Sequence, residues 1–323
     1  MDVLVTGGCG YIGSALIPML QADDAVESVT ILDSLNSGSP RALLGTLSPV
    51  DGNEGEREDD DRAAVDFRRG DVREYGDVES AMRGVDTVVH LAAITGAAST
   101  HDRREETVAV NYEGTENVLK AAGKLDVDNV VFASSCNVYG RATSTDIDET
   151  VDPDPINPYA ETKLDSEQLL AEYCEEFGMD GTALRMATNF GDSPGVRFNL
   201  VVNYFVFRAL TGRTLTVYGD GSNWRPFIHV GDAARAYEHA ALAPEAWDHR
   251  VYNVGANDAN YRIAEIADIV DEEVGAVDIT YLEDEHPGPS YHVNFDRLEA
   301  TGFEPQTTLR EGVRDLARSF TDD

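Results

Sequence analysis

The sequence predicts an α/β protein with a doubly wound parallel sheet and a smaller C-terminal lobe. Strand-like and helix-like patterns alternate through the first half of the 323 residues, as they do when helices cover both faces of a parallel sheet. A glycine-rich turn directly follows the first strand pattern. Beyond Arg185 the alternation ends, and proline, glycine and aromatic residues become frequent from Gly191 to Pro226. With 42% apolar residues, the chain can fill the core of one large domain or two modest ones.

The individual elements follow from apolar runs and the turn residues that bound them. Strands are predicted near residues 2–6, 28–32, 65–68, 85–90, 128–134 and 181–186. Helices are predicted near residues 11–21, 74–83, 103–123, 157–177 and 197–211. Later in the chain we predict a strand at 251–254 and helices at 261–274 and 308–320. We therefore expect a Rossmann-type domain over residues 1–186, to which segments near 226–255 return, and a substrate-binding lobe formed mainly by 187–323.

The glycine-rich turn has the composition of a dinucleotide-binding site. Gly7 allows the chain to turn, Gly10 allows the backbone to approach a pyrophosphate, and Gly13 allows the following helix to pack near the strand. The spacing is G-x-x-G-x-x-G, whereas the commoner fingerprint is G-x-G-x-x-G. A lone glycine triplet also occurs at ordinary strand–turn–helix corners. The predicted cofactor site includes Tyr11 and Ile12 of the same turn, because a helix N-terminus binds anions.

Asp33 strengthens the prediction and indicates which dinucleotide binds. It ends the second strand pattern, 20 residues after Gly13. A carboxylate there can accept hydrogen bonds from both hydroxyls of the adenosine ribose and would repel a 2′-phosphate, which favours NAD over NADP. The alternative is a turn-forming aspartate. Asn36 and Ser37, which follow in place of an arginine, are included in the predicted site.

Tyr159, Lys163 and Ser135 form a candidate catalytic group. Tyr159 and Lys163 are four residues apart near the start of a predicted helix, so they share one face. We expect the ammonium group, aided by the positive nicotinamide ring of NAD⁺, to lower the pKa of the phenol from about 10 toward neutrality. Tyr159 can then act as a general base at a sugar or alcohol hydroxyl, and the Ser135 hydroxyl can bond the same oxygen. The alternative is a chance pair of a tyrosine and a lysine.

The charge composition is strongly acidic. The net charge is −35, and only three of the 25 basic residues are lysines, Lys120, Lys124 and Lys163. Such a surface is typical of proteins adapted to high salt, in which charges are screened beyond about 3 Å at 1 M. It argues against nucleic acid and anionic membranes as partners. The stretch from Leu47 to Asp66, which contains an acidic run at 54–61, is predicted to be a mobile surface loop.

The cysteines and the N-terminus favour a cytoplasmic protein. Cys9, Cys136 and Cys174 show no C-x-x-C spacing and no histidine cluster, so we predict reduced thiols and no metal site. Met1 runs directly into the first strand pattern, and we therefore expect no targeting or membrane-spanning segment.

Taken together, the motifs resemble those of the extended short-chain dehydrogenase/reductases. Within that family the chain is most similar to the nucleotide-sugar epimerases and dehydratases, in particular to the UDP-glucose 4-epimerase-like members. The likeness covers nearly the whole length. It is carried by the glycine turn, Asp33, Asp71-Val72, His90-Leu-Ala-Ala93, Asn111, Ser134-Ser135, Val138-Tyr-Gly140, Tyr159-x-x-x-Lys163, Leu184-Arg185, Val217-Tyr-Gly-Asp-Gly221 and Trp224-Arg-Pro-Phe-Ile-His-Val-Gly-Asp232.

The resemblance implies further roles. It places Asp71 and Val72 against adenine, and Leu91, Ala92 and Ala93 beside the nicotinamide. It implies that Asn111 supports the backbone of the active site or a proton relay. It also implies a homodimer that pairs through the helices at 103–123 and 157–177. On the substrate side it implies that a nucleoside diphosphate is held by Asn199, Tyr218 and Arg225.

The chain departs from the family pattern at several positions. Dehydratases carry an Asp-Glu pair directly after the catalytic serine or threonine, where this chain has Cys136 and Asn137. Eliminating water needs an acid and a base, so dehydration is disfavoured. The sugar-contacting asparagine is expected at Thr188, with Asn189 next to it, and His286 replaces a second phosphate-binding arginine. These residues complete the predicted substrate site.

The favoured function is an NAD-dependent nucleotide-sugar 4-epimerase that acts on a UDP-sugar, with a transient 4-keto sugar and no net consumption of NAD. The alternative is a nucleotide-sugar or small-alcohol dehydrogenase of the same fold, in which NAD exchanges at every turnover. A third interpretation is a non-catalytic dinucleotide sensor, which has no need for Ser135, Tyr159 and Lys163 together. Tight retention of NAD favours the epimerase over the dehydrogenase.

Overall fold

The computed structural model describes residues 1–44, 62–96, 99–141, 146–275, 277–282 and 288–321. In chain order the strands are β1 Asp2–Thr6, β2 Ser28–Asp33, β3 Ala64–Arg69, β4 Thr87–His90, β5 Asn129–Ser135, β6 Asp180–Met186, β7 Thr188–Phe190, β8 Leu215–Tyr218, β9 Trp224–His229, β10 Val251–Val254, β11 Asn260–Arg262 and β12 Ile279–Leu282. The α-helices are α1 Gly13–Ala22, α2 Tyr75–Ala81, α3 Arg104–Val108, α4 Gly114–Lys124, α5 Pro158–Phe177, α6 Val201–Leu210, α7 Val230–Leu242, α8 Ile263–Val274, α9 Asp296–Glu299 and α10 Leu309–Arg318.

Seven strands form one parallel sheet in the order β10-β6-β5-β4-β1-β2-β3. This order confirms the predicted doubly wound, Rossmann-type fold. The chain winds outward from β1 in both directions, so the carboxyl ends of β1 and β4 diverge into separate loops. A crevice at such a switch point is where α/β sheets of this class bind ligands.

Helices cover both faces of the sheet. Helices α1 and α7 pack together on one face, where Leu16, Ile17 and Ala236 contribute to the core. Helices α2, α4 and α5 cover the other face with residues such as Val118 and Leu170. Because both faces are buried, the sheet strands are short apolar runs, which explains why the sequence predicts them well.

Two features of the helices that cover the sheet were not predicted. Helix α7 lies in a segment for which no helix was expected, although an apolar stripe of mainly alanine residues points inward. The single helix expected at 103–123 is divided into α3, a π-helical turn at Ala109–Glu113, and α4. The π-helical turn contains the buried Asn111, so the irregular turn positions a predicted site residue.

The C-terminal half contributes a third core cluster around Phe190, Phe227 and Ile266, enclosed by α6, α8 and α10. Two small sheets lie there, one with the order β11-β9-β7 and one that pairs β12 with β8. Strand β10 returns to the large sheet and pairs with β6. The division of the chain at residue 186 stays a prediction.

Several sequence-based expectations concern what the chain lacks. None of the described helices is long and apolar enough to cross a membrane. The described residues contain no group of three or more His, Cys, Asp or Glu side chains that could hold a metal ion. All three cysteines are free and buried. Residues 47–61 of the predicted acidic loop and His286 lie outside the described residues, whereas residues 64–66 of that stretch belong to β3.

The excess negative charge gives a testable expectation for stability in salt. Most carboxylates are exposed, and Asp33, Glu167 and Asp232 are among the buried ones. We expect the midpoint of thermal unfolding to rise by roughly 5 °C or more between about 0.1 M and about 1 M KCl, because the screening length falls from about 10 Å to about 3 Å. Differential scanning calorimetry measures this, with sucrose at equal osmolality as the control for solute exclusion. A midpoint that is unchanged or lower in KCl contradicts the expectation.

Candidate active site

The glycine turn joins β1 to α1 with little space for side chains. Gly7 has a φ of +72°, and a Cβ there would lie 2.7 Å from the backbone nitrogen of Ala92. A Cβ at Gly13 would lie 2.6 Å from Cα of Gly8. By contrast, a Cβ at Gly10 would meet only the carbonyl oxygen of Gly7, at 3.1 Å. A Cβ at Gly10 is therefore less obstructed than one at Gly7 or Gly13.

A loop from the C-terminal half fastens onto this turn. The Tyr11 hydroxyl donates to the carbonyl oxygen of Gly191 at 2.7 Å, and the Ser193 hydroxyl donates to the carbonyl oxygen of Tyr11 at 2.9 Å. Ile12 precedes α1 without a capping side chain. The side chain of Tyr11 thus connects the predicted cofactor site to the loop before α6, whereas the backbone of Tyr11 and Ile12 stays at the N-terminus of α1.

Asp33 is buried at the end of β2, with an exposed fraction of 8%. One carboxylate oxygen accepts from the backbone nitrogen of Cys9 at 3.0 Å, and the other accepts from that of Leu35 at 2.7 Å. Burial and the adjacent Asp33 carboxylate raise the pKa of the Cys9 thiol to about 12. Asp33 therefore does form a local turn, and it also holds the glycine turn; its role toward ribose stays a prediction. Asn36 and Ser37 lie exposed just beyond it.

His90 lies beneath the loop that carries Leu91, Ala92 and Ala93. Thr115 donates its only hydroxyl proton to the carbonyl oxygen of Asn111 at 2.5 Å, so it must accept from Nε2 of His90, at 2.9 Å. Nδ1 then accepts from the Thr6 hydroxyl at 2.6 Å. Burial, with a smaller effect of the Lys163 charge, lowers the pKa of His90 to about 3. The neutral imidazole holds the end of β4 in place. The half-buried residues beside the predicted nicotinamide position are Leu91, Ala92 and Ala93.

Asp71 and Val72 differ in their environment. The Asp71 carboxylate accepts from Nη2 and Nε of Arg73, at 2.6 and 3.0 Å, and this pairing lowers the pKa of Asp71. Val72 is buried against Gly114, where a Cβ would approach to 2.7 Å. Arg73 therefore binds both carboxylate oxygens of Asp71. The expected contact of Asp71 with adenine stays a prediction.

Asn111 is fully buried and binds two separate segments. Its amide accepts from the backbone nitrogen of Ile94 at 2.8 Å and donates to the carbonyl oxygen of the same residue at 3.0 Å. It also donates to the Thr162 hydroxyl on α5 at 3.2 Å. These bonds fit the first of its two expected roles, support of the backbone at the site.

Helix α5 presents Tyr159 and Lys163 from its first two turns. The Asn157 side chain caps the helix by accepting from the backbone nitrogen of Ala160 at 2.9 Å. Lys163 is 2% exposed, and its Nζ lies 4.7 Å from the ring centre of Phe132 and 5.9 Å from that of Tyr159. Burial lowers the pKa of Lys163 to about 7, against the opposing effect of Glu167. The two predicted catalytic residues therefore do come together.

The electrostatics at Tyr159 differ from the sequence-based expectation. Burial raises the pKa of the Tyr159 phenol, and a hydrogen bond with Ser135 and the positive charge of Arg197 act against it. We expected the charge of Lys163 to drive the pKa down, but the chain by itself holds the pKa above its ordinary value. The reason is that removing a phenolate from water costs more than the hydrogen bond with Ser135 and the charge of Arg197 return.

Arg197 is a site residue that the sequence analysis missed. It lies between β7 and α6, where its guanidinium donates to the Thr95 hydroxyl and, at 3.3 Å, to Oδ1 of Asn199. The Asn203 amide donates to its carbonyl oxygen at 3.0 Å. No spacing or motif distinguishes Arg197 from the other arginines of the chain, so only the folding of its loop toward α5 identifies it.

The structure describes the predicted substrate-binding residues other than His286, and they lie on several separate elements. Thr188 and Asn189 are half-buried on β7, and Oδ1 of Asn189 is buried without a hydrogen-bond partner. Tyr218 ends β8 with 57% of its surface exposed. The guanidinium of Arg225 on β9 lies 4.6 Å from the ring centre of Tyr291 and donates to the backbone carbonyl oxygens of Trp224, at 3.0 Å, and of Pro289. Ser135 is 7% exposed at the end of β5.

Comparison with known proteins identifies relatives over the full length. The model of the NAD dependent epimerase/dehydratase family matches residues 3–255. The low-salt glycan biosynthesis protein Agl12 of Haloferax volcanii is 31% identical, over 97% of this chain and 96% of that protein. A dTDP-glucose 4,6-dehydratase of an Actinoplanes species is also 31% identical, over 97% and 95%. The structure of Thermus thermophilus UDP-glucose 4-epimerase with NAD superposes with a TM-score of 0.81 at 28% identity, over 100% of this chain and 99% of that one.

Proposed function

Because the chain belongs to the NAD-dependent epimerase/dehydratase family of nucleotide-sugar enzymes, we propose that it is a nucleotide-sugar 4-epimerase acting on a UDP-sugar through a transient 4-keto sugar. One observation carries the choice of epimerisation: neither residue after Ser135 offers a carboxyl group. The buried Cys136 thiol donates to the carbonyl oxygen of Arg185 at 3.1 Å, and burial raises its pKa. The Asn137 amide bonds to Ser135 and Tyr291. Proton transfer for the loss of water has no acid or base at these two positions.

NAD is the cofactor, and the residues of the site fit it. The bare backbone at Gly10, the N-terminus of α1 and the Asp33 carboxylate are suited to pyrophosphate and ribose. Bound NAD supplies a reversible hydride acceptor at the sugar carbon. The remaining chemistry falls to the chain, which must orient the sugar, move one proton and exclude water.

Tyr159 accepts the proton of the C4 hydroxyl, and Ser135 donates a hydrogen bond to the same sugar oxygen. C4 becomes a ketone as its hydroxyl oxygen loses a proton and the carbon itself loses a hydride. When the ring has turned and C4 is reduced from the opposite face, Tyr159 returns the proton to that oxygen. Atoms and electrons therefore balance without an external oxidant, and the product differs from the substrate only in the configuration at C4.

Rotation of the sugar needs a firm hold on the rest of the substrate. Arg225 supports this role because a guanidinium can bind phosphate oxygens in pairs. Tyr218 offers an exposed ring on β8, and Asn199 lies at the end of the loop that carries Arg197. Thr188 and Asn189 face the sugar from β7, where the unpartnered Asn189 oxygen can accept a hydroxyl proton.

The test is a panel of UDP- and dTDP-sugars incubated with NAD⁺ in concentrated KCl, with the products resolved by NMR. We expect inversion at C4 of a UDP-sugar, substoichiometric NAD⁺ and no accumulation of NADH. A 4-keto-6-deoxy product identifies a dehydratase instead, and stoichiometric NADH identifies a dehydrogenase. The Tyr159→Phe variant serves as the inactive control.

Two further expectations stay predictions: a homodimer that pairs through α3, α4 and α5, and a cytoplasmic location. Sedimentation in concentrated KCl tests the homodimer.

A further inference from the structure

The hydrogen bonds around Ser135 have a defined direction. The Ser135 hydroxyl oxygen accepts from the backbone nitrogen of Asn137 and from its side-chain Nδ2, both at 3.2 Å. A serine hydroxyl has two acceptor positions and one proton. Since Asn137 occupies both acceptor positions, the remaining proton points to the other polar neighbour, the Tyr159 oxygen. We propose that Asn137 is a positioning residue that makes Ser135 a hydrogen-bond donor: to the ionised Tyr159 oxygen in the free enzyme, and to the sugar oxygen once a substrate is bound.

Tyr291 fixes the orientation of the Asn137 amide. Its hydroxyl lies 3.2 Å from Oδ1 of Asn137, so the amide oxygen faces Tyr291 and the amide nitrogen faces Ser135. Tyr291 is 3% exposed, and burial raises its pKa to about 12, so its hydroxyl keeps the proton that it donates. Its ring lies under the guanidinium of Arg225, and its backbone nitrogen donates to the carbonyl oxygen of Trp224 at 3.2 Å.

The hydrogen bonds that link Tyr291, Asn137 and Ser135 lower the proton affinity of the Tyr159 oxygen. A hydrogen bond donated to a phenolate favours the charged form and opposes the effect of burial. A carboxylate at residue 137 would accept the Ser135 proton instead and turn a lone pair toward Tyr159. The amide at this position therefore removes an acid that dehydration would use and also favours Tyr159 as a base. The inference rests on the proposed role of Tyr159, but it holds for any sugar or alcohol that is oxidised at this site.

The experiment measures Tyr159 directly and needs no substrate. Full-length protein labelled with ¹³Cζ-tyrosine is titrated by NMR, and the Tyr159 resonance is identified by its loss in Tyr159→Phe. We expect the titration midpoint of Tyr159 to rise in Asn137→Ala and Tyr291→Phe, and to rise further, by about one pH unit or more, in Asn137→Asp. Tyr291→Phe is decisive, because it adds no charge and removes the hydroxyl that holds the Asn137 amide, which is then free to rotate.

Matched controls separate this effect from general perturbation. Asn294→Asp makes the same chemical change beside α9, where the side chain of Asn294 bonds to Asp296, and Tyr204→Phe removes an exposed hydroxyl on α6. Both are expected to leave the Tyr159 midpoint unchanged. An unchanged midpoint in both Asn137→Ala and Tyr291→Phe overturns the proposal, and these two variants keep it testable if Asn137→Asp does not fold. The titration uses no substrate, so its result does not depend on whether the protein proves to be an epimerase. Failure of the proposed function and failure of the proposed role of Asn137 can therefore be told apart.

Discussion

The Tyr159→Phe variant is expected to lose about 10²–10⁴-fold in kcat, the usual contribution of a positioned general acid or base. Phenylalanine keeps the ring that lies 5.9 Å from Nζ of Lys163 and removes only the hydroxyl that bonds to Ser135. The loss should therefore appear in kcat, with a small effect on the binding of NAD and of the nucleotide. Steady-state kinetics measures the change in kcat, and equilibrium binding of NAD measures the change in affinity for the cofactor.

The control for this variant is Tyr204→Phe, which removes a hydroxyl from the exposed face of α6. Its activity should equal that of the unmodified protein, and the midpoint of thermal unfolding should be similar for both variants. Full turnover by Tyr159→Phe would contradict the assignment of the general base. It would also revive the interpretation of the chain as a dinucleotide sensor.

The second large effect is expected in stability, for Glu167→Gln. Glu167 on α5 and Arg185 on β6 form a buried ion pair with N–O distances of 2.7 to 3.2 Å, and Ser134 also donates to Glu167. The side chains of Glu167 and Arg185 are only 5% and 6% exposed. Glutamine leaves a buried guanidinium without an opposing charge, so we expect the free energy of unfolding to fall by about 3–5 kcal/mol. Denaturant titration measures this.

A surface ion pair provides the comparison. Arg83 and Glu79 pair at 3.3 Å on the protein surface, and Arg83→Ala should change the free energy of unfolding by less than about 0.5 kcal/mol. A second control replaces both members of the buried pair, as Glu167→Leu with Arg185→Met, which should cost less than Glu167→Gln because no lone charge remains. If Glu167→Gln lowered the free energy of unfolding as little as Arg83→Ala does, the buried ion pair would not have the importance for stability that we expect.

Much of the large sheet could be predicted from local patterns. Strands β1 to β6 lie within two residues of their predicted bounds, because strands buried on both faces are continuous apolar runs. The long helix α5 was also predicted, since Asn157 and Pro158 are typical of a helix start. The C-terminal half was predicted less well. Its small sheets pair distant segments such as β7 with β9, and helix α7 is stabilised by packing on α1.

The sequence by itself determined which chemical groups the site contains: a phenol and an amine four residues apart, a serine, and an amide where dehydratases carry an acid. Tertiary structure decided how those groups behave. It placed Arg197 beside Tyr159, bound Asp71 to Arg73, and aligned Tyr291, Asn137 and Ser135 into one series of hydrogen bonds. The physical reason is that the proton affinity of a side chain depends on burial and on charges from segments far away in the chain. Residue spacing does not encode either quantity.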